Sequence, residues 1–251
     1  MSLSISIQGT KEFVYEDNSL VISELFYDTI QGEGIHTGVP AVFIRLAGCT
    51  LSCSFCDSKN TWNEGKRFTH KELLDLMSSF GIVDRLRRGH HLVITGGSPL
   101  KQQAGIIEFL SAFWVSHQFR PFVEMENECV IVPTVRMLRY VDCWNNSPKL
   151  SSSGNPVADR YKPDTIRFLN MCAVHSWYKF VIGTEADWKE VDEYFIRTGL
   201  VGKEQMILMP MASSRDELHM KQEEVVELAV RNDVRYGTRL HIELWNTRRC
   251  V

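Results

Sequence analysis

The segment AVFIRLAGCTLSCSFC, residues 41–56, decides the reading: an apolar run leads directly into three cysteines spaced CxxxCxxC. Ala41 to Leu46 reads as a strand, interrupted only by Arg45. Cys49, Cys53 and Cys56 follow in one tight loop, so three thiolates can converge from a single turn of chain. Three is the informative number. Structural zinc usually takes four ligands in a closed tetrahedron, whereas a four-iron cluster held by three cysteines leaves one iron open to a cofactor or substrate. A zinc loop completed by a remote His or Cys, and three unrelated thiols, remain the other readings of the spacing.

Outward from that loop the chain alternates strand and helix. Thr69 can cap a helix whose Leu73, Leu74, Met77 and Phe80 share a face. His91 to Thr95 is a second strand, closed by Gly96 and Gly97, and Ile106, Ile107, Leu110 and Trp114 mark the buried face of the next helix. Further strands are expected at Pro121–Met125, Val141–Asn145, Ser176–Ile182, Gln205–Met209 and Leu240–Leu244, with helices near Ala186–Thr198 and Arg215–Arg231. This alternation predicts an α/β fold with a mostly parallel sheet, a partial β/α TIM-type barrel whose site gathers at the C-terminal strand ends. No repeat or composition break divides the chain, so residues 1–251 are expected to form a single domain. The Ser/Gly/Pro-rich piece from Ser147 to Pro163 reads as a long mobile loop, either a surface excursion or a substrate lid.

Composition narrows the function classes. With 251 residues, 44% of them hydrophobic, the chain can bury a large core, and a net charge of −3 offers no global attraction for nucleic acid or an anionic membrane. A small-molecule partner is expected. MSLSISIQGTKEF lacks the pattern of a secretory signal, and no apolar stretch approaches the about 18 residues a bilayer needs. A cytoplasmic protein is the expectation, and seven cysteines, an odd count, suit thiolate ligands better than a disulfide framework. Cys129, Cys143, Cys172 and Cys250 are read as ordinary thiols. His90 and His91, beside Arg85, Arg87 and Arg88, are read as a solvated cluster at the entry to a strand.

The cysteine spacing after the first barrel strand, with the aromatic Phe55 before the last cysteine, resembles the radical S-adenosylmethionine (SAM) superfamily. The resemblance implies a [4Fe-4S] cluster on Cys49, Cys53 and Cys56 whose open iron chelates SAM. Reductive cleavage of SAM to a 5′-deoxyadenosyl radical, with hydrogen abstraction from a substrate, is the chemistry it implies. Gly96-Gly97-Ser98-Pro99 resembles a GGxP element that contacts the methionine amino group; a plain strand-to-helix turn is the alternative. Glu124, in Val-Glu-Met-Glu-Asn, is matched only loosely to an acid at the end of the next strand, since Met125 and Asn127 depart from the relatives' pattern. Glu126 and Glu128 are given solvated or capping roles. Ser147-Pro148-Lys149 resembles an SPK element near SAM.

Two flanking segments move the resemblance from superfamily to family. Thr29-Ile30-Gln31-Gly32-Glu33-Gly34 and Cys56-Asp57-Ser58-Lys59-Asn60-Thr61-Trp62 are similar to the TIQGEG and CDSxxTW segments of 7-carboxy-7-deazaguanine synthases. That family contracts the ring of 6-carboxy-5,6,7,8-tetrahydropterin with loss of ammonia, regenerating SAM and assisted by Mg²⁺. The resemblance implies Ser58 as the Mg²⁺ ligand and Arg45 as the grip on the substrate carboxylate. Gln31, Glu33 and Gly34 would form the loop that faces the pterin, with Trp245 and Asn246 approaching it from the chain end. It further implies a homodimer and an electron donor such as flavodoxin. Two competing readings are a glycyl-radical-enzyme activase, which has no use for TIQGEG and CDSxxTW, and a non-catalytic metal-binding module, which leaves GGSP and SPK without work.

Overall fold

A computed structural model describes residues 13–251; most of the N-terminal stretch read above for a secretory signal lies outside the described residues. One nine-stranded sheet runs in the order β3-β1-β2-β4-β5-β6-β7-β8-β9. Its strands are β1 (Ser19–Ile30), β2 (Pro40–Leu46), β3 (Lys66–Thr69), β4 (His91–Gly96), β5 (Val123–Asn127), β6 (Cys143–Asn146), β7 (Ser176–Ile182), β8 (Met206–Pro210) and β9 (Arg235–Tyr236). From β2 to β9 every neighbouring pair is parallel. β1 folds back antiparallel on β2, and β3 is antiparallel to β1, so the two edges are β3 and β9 and the barrel stays open.

Helices cover the outside: α1 (His70–Ser79), α2 (Ile82–Arg87), α3 (Gln103–His117), α4 (Val135–Leu138), α5 (Val157–Arg160), α6 (Pro163–Cys172), α7 (Glu185–Val191), α8 (Arg215–Arg231) and α9 (Leu240–Trp245). Alternation along the strands sorts the two faces. Val42, Ile44, Leu92, Ile94, Met125, Tyr178, Phe180 and Leu208 pack under the helices, while Phe43, Arg45, Thr95, Glu126, Lys179 and Met209 point into the barrel. Thr69 caps α1 as its spacing predicted: its hydroxyl accepts from the Glu72 backbone, and the Glu72 carboxylate accepts from Thr69 N. Thr69→Ala is expected to cost about 1 kcal/mol, read as a lower urea midpoint at unchanged slope.

Several elements differ from the sequence reading. β1, twelve residues long, was not foreseen as a strand; eleven of its side chains are buried or half-buried, so it shows none of the alternation that marks a surface strand. β5 is shifted two residues later than expected, which puts Glu124 near the start of the strand rather than at its end. Leu240–Leu244 forms the helix α9 instead of a strand, because only Ile242 is fully buried, against Ala212 and Leu218. On α3 the buried aromatics are Phe109 and Phe113, while Trp114 is exposed. The stretch from Ser147 to Pro163 is neither excursion nor lid: Ser153 and Asn155 are buried against the cysteine loop, where Ser54 N donates to Ser153 O (3.0 Å) and Ser52 N to Asn155 Oδ1 (2.9 Å). Among the described residues no helix is long and apolar enough to cross a membrane.

Candidate active site

The C-terminal ends of the parallel strands open into one cavity of about 820 Å³. The cysteine loop forms one wall. None of the three cysteines is in a disulfide. Cys49 Sγ accepts from Leu51 N (3.4 Å) and Ser98 Oγ (3.6 Å), and Cys53 Sγ accepts from Asn155 Nδ2 (3.3 Å). Burial pushes the Cys49 and Cys53 thiols up, opposed at Cys49 by the Leu51 N–H and at Cys53 by the Lys149 ammonium.

The strand-end glycines are there for close packing. A Cβ on Gly96, whose φ is +145°, would meet Leu46 O at 2.2 Å, and one on Gly97 would meet Gly48 O at 2.3 Å. Both line the cavity, as do Phe55, Ser147 and Lys149; Lys149 Nζ donates to Ser147 Oγ (2.8 Å). Ser98 does not line it. Fully buried, Ser98 receives Thr50 N at 2.9 Å and braces the start of the cysteine loop. Glu124 also lies off the cavity, because the later register of β5 places it toward the opposite end of the barrel. There it accepts from Asn145 Nδ2 (2.5 Å) and sits beside His91 Nδ1 (2.5 Å). Burial opposes its ionisation, yet His36 and His91 bring its pKa down to about 2. His91 is therefore an interior residue and not part of a solvated cluster. The acids of this segment that do line the cavity are Glu126 and Glu128, contrary to the solvated roles expected for them. Burial raises the Glu128 carboxyl, which accepts from Thr50 Oγ1 (2.9 Å).

Opposite the cysteines stands the loop after β1. Gln31 is buried, its side-chain amide donating to both Glu124 and Glu126 at 3.4 Å, and its Oε1 accepts from Glu33 N (3.2 Å). Glu33 is clamped from two distant parts of the chain: Lys179 Nζ donates to Oε2 (2.7 Å) and Arg239 Nε to Oε1 (2.9 Å). Burial alone would raise the Glu33 carboxyl, but Lys179 and Arg239 hold it well below the carboxylate range. Arg239 also donates to Asp57, the residue after Cys56. Lys179 and Arg239 escaped the sequence reading; the one hint was a lysine inside the apolar run Trp-Tyr-Lys-Phe-Val-Ile. Gly34, at φ +77°, turns the loop where a Cβ would meet Asn145 Oδ1 at 2.9 Å; it does not line the cavity. Arg45 does, with Nε donating to Glu24 Oε2 (2.7 Å) across the β1–β2 ladder. Ser58 lines it too, and its hydroxyl lies 3.7 Å from Cys56 Sγ. The closing segment reaches the same wall: Asn246, Cys250 and Val251 line the cavity, and Thr29 Oγ1 donates to Val251 O, whereas Trp245 stays outside.

Comparison with known proteins agrees with this arrangement. Residues 30–120 match a family described as a 4Fe-4S single cluster domain. A 7-carboxy-7-deazaguanine synthase of Pyrobaculum aerophilum is 34% identical over 226 residues, covering 89% of this chain and 94% of the relative. One from Halobacterium salinarum is 32% identical over 250 residues, covering 91% of each. The crystal structure of QueE from Escherichia coli superposes with a TM-score of 0.62 at 22% identity, over 89% of this chain and 95% of that one, and shares the partly closed barrel. On the strength of identities above 30% along nearly the whole of both chains, the protein belongs to the 7-carboxy-7-deazaguanine synthase family.

Proposed function

We propose that this chain, as one radical SAM domain, converts 6-carboxy-5,6,7,8-tetrahydropterin to 7-carboxy-7-deazaguanine with loss of ammonia. The observation that carries the reading is a shared chamber: Cys49, Cys53 and Cys56 open into the same cavity as Gln31, Glu33 and Arg45. A radical source and the grips for a carboxylated pterin would then face each other across it. The donor set fits the implied cluster, with three free thiols and hydrogen bonds already aimed at two of them. When bound, a [4Fe-4S] cluster with SAM supplies a 5′-deoxyadenosyl radical that abstracts hydrogen from the substrate.

The chain's own residues bind and orient. Gly96 and Gly97 line the space offered to the methionine end of SAM, Lys149 and Ser147 offer a cation and a hydroxyl there, and Phe55 lines the same cavity. Ser98 acts through the cysteine loop that it braces. The acidic contact loosely matched to Glu124 passes to Glu126, which lines the cavity. Arg45 offers a planar donor to the substrate carboxylate, and Gln31 and Glu33 offer acceptors to the guanidine-like edge. Asn246 borders the same space. The Ser58 hydroxyl suits Mg²⁺, which prefers oxygen and keeps open positions for substrate. The same reading includes a flavodoxin-type electron donor, a homodimer and a cytoplasmic location.

Anaerobic incubation of the reconstituted protein with SAM, a reductant and 6-carboxytetrahydropterin, read by mass spectrometry, tests the proposal. Deazaguanine product is expected; SAM cleavage without it would point instead to an activase. Asn155→Ala removes a hydrogen bond to Cys53 Sγ. Donors to sulfur stabilise the reduced, more negative cluster, so this variant is expected to show a lower reduction potential in an EPR-monitored titration. An unchanged or higher potential would count against that contact.

A further inference from the structure

The N-terminal mouth of the barrel holds a second set of donors, none of which lines the cysteine chamber. His91 begins β4, Glu124 lies near the start of β5, and His36 comes from the loop between β1 and β2. Nδ1 of His91 lies 2.5 Å and Nδ1 of His36 3.3 Å from the same oxygen, Glu124 Oε1. All three donor atoms fall within 4.8 Å of one another. The Glu124 side chain is fully buried, and those of His36 and His91 are 28% and 14% exposed.

Hydrogen bonding accounts for only part of this arrangement. The His91 ring can donate to Glu124, but His36 Nδ1, buried and 3.3 Å from the same oxygen, does not meet hydrogen-bond geometry. The opposite oxygen, Glu124 Oε2, is held by Asn145 Nδ2 at 2.5 Å and by Gln31 Nε2 at 3.4 Å, which turns Oε1 toward the two rings. Phe122 stacks on His91 with centroids 4.2 Å apart and meets His36 edge-on at 5.3 Å, fixing both rings. Two imidazole nitrogens and a carboxylate oxygen, converging with the carboxylate pre-oriented by an outer partner, form a donor set that suits zinc.

We propose that His36, His91 and Glu124 bind one Zn²⁺ ion, with water completing the tetrahedron, at a site separate from the cysteine loop. Such an ion pins the 31–39 loop to β4 and β5. Gln31, which bonds both Glu124 and the cavity-lining Glu126, carries that restraint to the chamber wall. The site stands or falls independently of the reaction proposed above.

The test uses the cluster-loaded full chain, freed of loosely bound metal with a chelator and titrated with Co²⁺ as a spectroscopic stand-in for Zn²⁺. One cobalt per chain is expected, with a nitrogen and oxygen shell by X-ray absorption, displaced by Zn²⁺. Binding should disappear in Glu124→Gln and His36→Ala and weaken about 10–100-fold in Asn145→Ala. His36 lies on a partly exposed loop, so His36→Ala should retain the cluster absorbance, which reports folding in the same sample. No cobalt bound to the wild-type chain, sulfur in its shell, or undiminished binding in His36→Ala would overturn the proposal.

Discussion

Cys53→Ala is expected to yield a folded protein that, after anaerobic reconstitution, shows neither four-iron absorption nor an EPR signal on reduction, and forms no detectable deazaguanine product. The expectation rests on ligand number. Three thiolates already leave one iron open, and with two the cluster loses a second protein anchor. Cys53 is the most buried of the three, and its sulfur is the acceptor for Asn155 Nδ2. In the alanine variant that amide keeps its bonds to Ser153 Oγ (3.1 Å) and Ser153 O (3.5 Å), so circular dichroism should remain native while chemistry is lost. A variant that keeps the four-iron signal and turns over would remove Cys53 from the ligand set and the radical mechanism with it.

Lys179→Met carries the second large effect. Lys179 is 5% exposed and faces Glu33 at 2.7 Å and Glu126 at 3.5 Å. Methionine keeps much of the volume and removes the charge, leaving two carboxylates near each other inside the barrel. Breaking a buried pair by deleting one partner costs about 3–5 kcal/mol. Arg239 still holds Glu33 Oε1, so the lower end is expected, about 3 kcal/mol, or a fall of about 6–12 °C in Tm for a chain of this size. The pKa directions give the sign with pH. Glu33 is depressed in the fold, so its contribution to stability is present above the carboxylate range and is lost as pH falls through it. The gap between wild type and variant should therefore narrow under acid, when Glu33 protonates. A gap that stays constant down to acid would mean that Lys179 acts through packing alone.

These two residues also mark where the sequence could and could not be read. The cysteine triad is a local pattern: spacing over eight residues carries it, and the fold adds only which neighbours donate to the sulfurs. β4, β7 and α8 were legible for a similar reason, each announcing itself through its own composition. Lys179 was not, because its meaning lies in Glu33, 146 positions away, and nothing near the lysine names that partner. β1 failed differently. A strand pressed between two others, with Ser23 and Glu24 buried among apolar neighbours, has neither alternation nor a clean apolar run. The shift of two residues in β5 shows how a small boundary error changes function: it moved Glu124 from the chamber to the zinc set and put Glu126 on the chamber wall.

The clamp on Glu33 has a consequence for the order of events during synthesis. Arg239 lies 206 residues beyond Glu33, and the Thr29 hydroxyl meets the Val251 carbonyl across 222. All nine strands precede Arg239, so the whole sheet can assemble while the chamber still lacks a side. Contacts of such separation carry the largest loop-closure cost and form late. A chain made only as far as residue 238 would thus offer its cysteines through a chamber still open on the side that Arg239 and Val251 complete.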